Sequence, residues 1–325
     1  MHLFADFDEA LVRQCVDEFS AATGIKNVFS ISCLDRSANF SDERFVFVLA
    51  RPDGSPLVLK LDTAEGTTRL TKEYGIIEKL RSHFDAQSKV ALVEPVYLSP
   101  TGRFHVTEFL EGKTAKQIVY SPQDLLQAGQ VFRRGGEWLN HLHNSDPPAV
   151  KTAWFNWMLE EIESLVHTSQ PQACARQLGG FVAKLAKDCQ RLSGAPCIAT
   201  FSHGDFHGGN LVLGRGVSYG LDFTEASTKL AIYDIVDFLK MDAFLPAEPS
   251  EIGASGIRNR STEMFFKKYR HNVNFDLLTC AMRGRLLIDW VKISREAFAR
   301  SEFLRKKFRH LDHRLSTAFA QPLDT

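Results

Sequence analysis

Strand-forming runs are crowded into the first 110 residues of this chain, and almost everything beyond Glu111-Gly112 carries the period of helices. In Phe45-Val46-Phe47-Val48-Leu49 and Leu57-Val58-Leu59-Lys60-Leu61, two apolar β-type runs flank Arg51-Pro52-Asp53-Gly54-Ser55. The Pro and Asp-Gly supply turn geometry, which predicts a β-hairpin. Thr67 and Thr68 offer N-cap hydroxyls to a helical stripe through Leu70, Tyr74, Ile77, Leu80 and Phe84. A helix over 6–22 precedes the sheet, and Val90 to Tyr97 and Arg103 to Phe109 read as two further strands. Residues 122–144, 154–168 and 175–194 predict helices, and three more fall within 257–319. A single β-hairpin between Thr200 and Phe223 interrupts them. The expectation is an α+β chain in two parts, a small antiparallel sheet with one helix on it over 1–111 and a mostly helical part over 112–325.

With 325 residues, 44% of them hydrophobic, the chain can bury the core of two modest domains or one bilobal one. A membrane span needs roughly 18 to 20 unbroken apolar residues, and the apolar stretch Val90 to Leu98 is cut by Glu94 and Pro95. The N-terminus carries early acids and no basic stretch ahead of an apolar core, so a cytoplasmic protein is expected. Six scattered cysteines, without a C-x-x-C pair or a His at zinc-ligand spacing, read as buried reduced thiols. The zero net charge hides an asymmetry: residues 251–325 hold 15 Lys+Arg against 8 Asp+Glu. These charges interleave with Phe265, Leu286, Ile288, Trp290 and Phe298, which predicts amphipathic packing helices with solvated basic faces. Nucleic-acid binding is not expected.

Lys60 stands alone in an apolar strand, where a lysine usually guards a sheet edge or snorkels to water. Its context changes that reading. On the following helix Glu73 falls inside the stripe of Leu70, Ile77 and Phe84, while Glu78 lies at its margin or outside. A carboxylate aimed at an apolar sheet is costly unless paired, so Lys60 and Glu73 are expected partners.

A second cluster is Ser202-His203-Gly204-Asp205-Phe206-His207-Gly208-Gly209-Asn210, with Asp222 twelve residues after Asn210. Residue by residue these are ordinary turn formers. If Asn210 begins one strand of the hairpin and Asp222 ends the other, two oxygen ligands meet at its open end, with Asp205 just ahead. A few hard oxygen ligands with room for water and phosphate suit Mg²⁺.

His203-Gly204-Asp205-Phe206-His207-Gly208-Gly209-Asn210 resembles the H-x-D-x-x-x-x-N loop of the aminoglycoside phosphotransferase and choline kinase superfamily, small-molecule relatives of protein kinases. Leu59-Lys60, Lys72-Glu73-Tyr74, Val106 to Gly112, Leu139 to His143, Leu221 to Ala226 and Tyr233 to Phe238 resemble the family's other motifs, in order. The resemblance implies a bilobal protein-kinase-like fold, with an antiparallel-sheet N-lobe and a mostly helical C-lobe. It further implies transfer of the ATP or GTP γ-phosphate to a hydroxyl of a small molecule. Asp205 would accept the hydroxyl proton, Asn210 and Asp222 would hold Mg²⁺, Lys60 would meet phosphate and Glu73 would fix Lys60. Hinge backbone near Glu108 and Leu110 would meet the purine, His203 would support the loop, and His207 would either support it or touch substrate. Asp234 would cap its helix or steady the metal aspartate, with capping the expectation.

Departures from the protein-kinase pattern refine this. Cys33 to Phe40 has no glycine where a G-x-G-x-x-G loop would lie, so Ser37 or Asn39 would stand in at the phosphates. Gly204 replaces the arginine of H-R-D, Thr224 replaces the glycine of D-F-G, and no A-P-E follows, which favours a small-molecule kinase. The basic C-terminal region argues against a polycationic antibiotic as acceptor. Two other readings are a pseudokinase used as a binding module and a kinase of a larger anionic glycan.

Overall fold

The computed structural model describes residues 8–25, 30–36, 43–52, 54–85, 89–121 and 125–323. Along the chain run α1 (Glu9–Thr23), β1 (Ser30–Arg36), β2 (Arg44–Arg51), β3 (Gly54–Asp62), α2 (Arg69–Asp85), β4 (Val90–Leu92), β5 (Pro95–Leu98) and β6 (Phe104–Glu108). There follow β7 (Lys113–Thr114), α3 (Ala115–Val119), α4 (Leu125–His143), β8 (Ala149–Thr152), α5 (Asn156–Ser169), α6 (Ala175–Leu192), β9 (Pro196–Ser202), β10 (Leu211–Leu213) and β11 (Ser218–Gly220). The chain finishes with β12 (Ser227–Leu230), α7 (Ile232–Leu239), α8 (Asn259–Phe266), α9 (Phe275–Val291), α10 (Arg295–Arg300) and α11 (Glu302–Ala320). These elements gather into two compact units, one of residues 1–112 with 214–226, the other of 113–213 with 227–325. Segment 214–226 therefore joins the first unit, which no single cut in the chain captures.

The first unit is a five-stranded antiparallel sheet in the order β1-β2-β3-β6-β5. Strand alternation divides its faces. Phe45, Phe47, Leu49, Leu57, Leu59 and Leu61 are buried in one cluster with Val12, Val16 and Phe19 of α1. Lys60 therefore points to the opposite face, which α2 covers with its buried stripe Leu70, Glu73, Ile77, Leu80 and Phe84. The expected hairpin between β2 and β3 is present, although Asp53 of its turn lies outside the described residues. The stretch Val90 to Tyr97 is not one strand as expected. Glu94-Pro95 breaks it, because a proline cannot donate to a ladder, and β4 pairs in parallel with β11 whereas β5 joins β6.

In the second unit the helices form near their expected positions, with four rather than three between Asn259 and Ala320. A three-stranded sheet, β12-β9-β8, was not anticipated. Its outer strands read poorly because β8 is exposed throughout, with Val150 73% accessible, and the apolar periodicity that identifies a strand is missing there. A ring stack of Trp138, Phe206 and Phe238, with centroids 5.1 and 4.9 Å apart, fills the core beneath the residue 203–210 loop.

The C-terminal basic surplus is only partly solvated, a correction to the sequence expectation. Arg283 is 2% and Arg314 0% accessible. Arg283 bonds Asp188 and the carbonyls of Ala254, Ala318 and Gln321. Arg314 bonds the carbonyls of Asp242, Leu245 and Gly256 and lies 3.2 Å from the Asp242 carboxylate. Guanidinium forks thus satisfy helix and turn ends inside the core. The cysteines are free, yet Cys174 is exposed and Cys33 half-buried rather than buried.

Candidate active site

In the first unit, Lys60 of β3 and His105 of β6 are directly opposed in the antiparallel register. Opposed residues share a sheet face, and both meet Glu73 of α2. Lys60 Nζ lies 2.7 Å from Glu73 Oε1 and His105 Nε2 lies 3.3 Å from Oε2. Burial alone would raise the Glu73 carboxyl, but Lys60 and His105 outweigh it and hold the group far below the usual carboxylate range. Burial would likewise depress Lys60; Glu73 and Asp222 overcome it and raise the ammonium above its ordinary value. Lys60 is thus a fixed, permanent cation. His105 escaped sequence reading because strand register across a long connection is not written in local periodicity.

The same lysine lies 3.8 Å from Asp222 Oδ1. Asp222 follows β11 with φ 61°, a left-handed conformation that aspartate tolerates better than most residues. Thr224 Oγ1 donates to Asp222 Oδ1 at 3.0 Å, and Lys72 Nζ donates to the Thr224 carbonyl at 2.9 Å. Helix α2 therefore holds the Asp222 segment through Lys72, just as it holds Lys60 through Glu73. Glu108 ends β6, with its carboxylate accepting from the Glu94 amide at 2.9 Å, and Leu110 follows it. Ser37 and Asn39 lie outside the described residues.

In the second unit, the loop after β9 carries His203, Asp205, His207 and Asn210. Gly204 supplies a turn at φ 83°. His203 is fully buried, its ring 6.1 Å from that of Trp138 and 5.6 Å from that of Phe206. Asn210 Nδ2 donates to the Asp205 carbonyl at 2.9 Å. His207 Nδ1 accepts from the Gly209 amide at 3.0 Å, and its Nε2 lies 3.7 Å from Asp205 Oδ2.

Asp234 does not cap its helix. Ala231 holds the cap position without a side-chain bond, and the Asp234 carboxylate instead accepts the amides of His203 and Gly204 at 2.7 and 2.9 Å. His143 Nε2 lies 3.1 Å from the same carboxylate, and its Nδ1 lies 2.7 Å from the Tyr269 hydroxyl. Burial would raise Asp234, but the His143 contact, His203 and the Gly204 amide together lower it. A stable anion thus anchors the backbone just before Asp205. A carboxylate near a helix start usually signals a cap; burial, which sequence does not reveal, redirected this one.

Each unit carries one hard-oxygen side chain of the kind Mg²⁺ takes. Asn210 is 8% accessible, and the bond from its nitrogen leaves the amide oxygen as the atom with donor chemistry for a cation. Asp222 is 40% accessible and commits one oxygen to Thr224. Few hard oxygens, completed by water and phosphate, suit this ion.

Similar folds occur among solved structures. A mutant of aminoglycoside 2'-phosphotransferase-IIIa, in its GDP complex, superposes with a TM-score of 0.62 at 13% identity, covering 94% of this chain and 98% of that one. Spectinomycin phosphotransferase, in complex with ADP and spectinomycin, gives 0.60 at 13% identity with 95% and 97% coverage. Choline kinase from Streptococcus pneumoniae gives 0.58 at 15% identity with 95% and 99% coverage. The fold is accordingly α+β and kinase-like. In sequence, no curated protein matches the chain. A profile of the phosphotransferase enzyme family matches residues 36–263, a span that contains Lys60, Glu73, Asp205, Asn210 and Asp222. The chain belongs to the phosphotransferase enzyme family.

Proposed function

We propose that the protein is a Mg²⁺-dependent small-molecule kinase that moves the γ-phosphoryl group of ATP or GTP to a hydroxyl. The observation that carries this reading is Lys60, a cation held 2.7 Å from a buried carboxylate and 3.8 Å from an accessible one. Such a lysine is pre-positioned for phosphate oxygens, since phosphoryl transfer depends on positioning and charge stabilisation. Glu73 fixes Lys60, and backbone at Glu108 and Leu110 receives the purine edge. Ser37 is assigned to the phosphates on sequence alone.

Asp205 orients the acceptor hydroxyl. The acceptor oxygen forms the new bond to the γ-phosphorus, its proton passes to Asp205, and the bond to the bridging oxygen breaks with its electrons left on the nucleoside diphosphate. Asn210 and Asp222 would hold Mg²⁺, which when bound neutralises phosphate charge. His203, packed on Trp138 and Phe206, keeps the loop in shape, and His207 braces its exposed side. A pure binding module is disfavoured because Lys60, Asp205, Asn210 and Asp222 are all retained.

The test is thermal stabilisation by ATP or GTP with Mg²⁺, comparing the wild type with Asp222→Asn, since asparagine tolerates the left-handed backbone. Metal-dependent stabilisation that disappears in the variant is expected. No stabilisation by either nucleotide would move the assignment to a non-catalytic binding module.

A further inference from the structure

The second unit surrounds the Asp205 loop with cations. Lys116 donates its backbone amide to the Gly208 carbonyl at 2.8 Å, which puts α3 against the loop. A Cβ on Gly208 would come 2.6 Å from Met241 Sδ, so the turn holding Lys240 and Met241 packs there too. Arg285 of α9 is close enough to feel the charge of Asp205. It is held by Asp237 at 2.7 Å and lies over the Trp157 ring at 5.9 Å, a fixed rather than a roaming guanidinium. Lys240 lies 3.3 Å from Asp237 and 3.9 Å from Asp289.

Lys307 of α11 completes this wall. Its Nζ sits 4.7 Å from the centre of the Phe244 ring. Among the described residues, no carboxylate lies within ion-pair distance of either Lys307 or Lys116. Burial, followed by the nearby Lys240, Lys116 and Lys292, pushes the Lys307 ammonium below its ordinary value, with Asp289 pulling the other way. Lys292 is answered by Glu161 at 3.4 Å. Arg285 and Lys240 thus share Asp237, and Asp289 is approached by Lys240 alone at ion-pair distance, which leaves Lys307 and Lys116 unanswered among the described residues. Packing like charges together costs stability unless a ligand uses them.

We propose that Arg285, Lys240, Lys307 and Lys116 receive an anionic group of the acceptor, so that the substrate is a hydroxyl compound bearing a carboxylate or a phosphate. This rests on the kinase reading above. Oxyanions bind such clusters through charge-assisted hydrogen bonds, and the same wall repels the polycations and quaternary amines that an acidic pocket would attract.

The experiment measures binding of glycerate, glycerol 3-phosphate, glycerol and choline by calorimetry, with and without MgADP, to the wild type and to Lys307→Met. Methionine keeps the apolar stem over Phe244 while removing the charge. At least one anion is expected to bind about tenfold more tightly than glycerol or choline, and Lys307→Met to remove about that factor while MgADP affinity stays unchanged. A preference for glycerate assigns a carboxylate acceptor; a preference for glycerol 3-phosphate assigns a phosphorylated one. Choline binding as tightly as either anion, equally weak binding of all four, or an anion preference untouched in Lys307→Met would overturn the proposal. Failure of MgADP itself to bind would strike the kinase reading instead.

Discussion

Lys60 Nζ and Glu73 Oε1 are 2.7 Å apart across the interface of β3 and α2, with the carboxylate 2% accessible and the lysine 23%. Removing one member strands the other in a poorly solvated place, which costs far more than an exposed ion pair contributes. Glu73→Ala should destabilise the protein by about 3 kcal/mol, the lower end for a broken buried pair because Lys60 retains Asp222. Urea unfolding checks this, and an unchanged midpoint would contradict the pairing.

Two buried carboxylates, Glu73 and Asp234, set an acid limit. Glu73 is lowered from 4.5 and Asp234 from 3.8, so both bind fewer protons folded than unfolded. Their contribution is complete above those unfolded values and is lost as pH falls through the lower folded ones. Wild-type stability should therefore decline as pH drops below 4.5, and the gap to Glu73→Gln should narrow over that range. A gap constant down to strong acid would show that Glu73 carries no linked proton.

Asp205→Asn keeps the loop's shape but removes the proposed acceptor of the hydroxyl proton. Turnover should fall on the order of 10² to 10⁴, while nucleotide affinity measured by titration stays near the wild-type value. Unreduced turnover would refute the assigned role.

Asp234 acts on Asp205 only through the backbone. Asp234→Asn sets an NH₂ group against amide donors, and a lost pair of charge-assisted bonds costs about 2–4 kcal/mol. Turnover should drop more than acceptor KM rises, together with a lowered melting temperature. A variant with normal stability and turnover would show that the loop holds itself.

Gly136 of α4 lies against α8, where an added Cβ would collide with the Phe265 carbonyl. Backbone cannot rotate away as a side chain can, so Gly136→Ala should destabilise by about 1–3 kcal/mol through overpacking. By contrast Gly129→Ala, with only Met264 at 3.9 Å, should be neutral or slightly stabilising, and thermal melts of the two variants check the contrast.

Local pattern carried the sequence reading furthest where one face is buried. The α2 stripe betrayed Glu73 because a helix repeats its face every three or four residues, and Lys60 stood out because its strand is otherwise apolar. The loop of residues 203–210 was legible as a motif, since Gly204 and the spacing of Asp205 and Asn210 are continuous in sequence. The contacts of His105, His143 and Tyr269 were not, although His143 lies in the Leu139 to His143 motif, because each acquires its role from a partner 32, 91 or 126 residues away. The sheet of β8, β9 and β12 was missed for a related reason: its edges are short and exposed, so tertiary pairing rather than apolar alternation makes them strands.

Strand β4 takes its parallel partner, β11, from more than a hundred residues downstream. A ribosome delivers chain from the N-terminus, so the lysine-bearing unit emerges early yet remains without β11 and Asp222 until residues 218–222 are synthesised. During that interval the strand's hydrogen-bonding edge lacks its native neighbour. The Lys60-bearing unit is therefore started first yet is not complete until about residue 226, and a fragment ending near residue 112 would keep Lys60 and Glu73 but not the strand and aspartate that complete them.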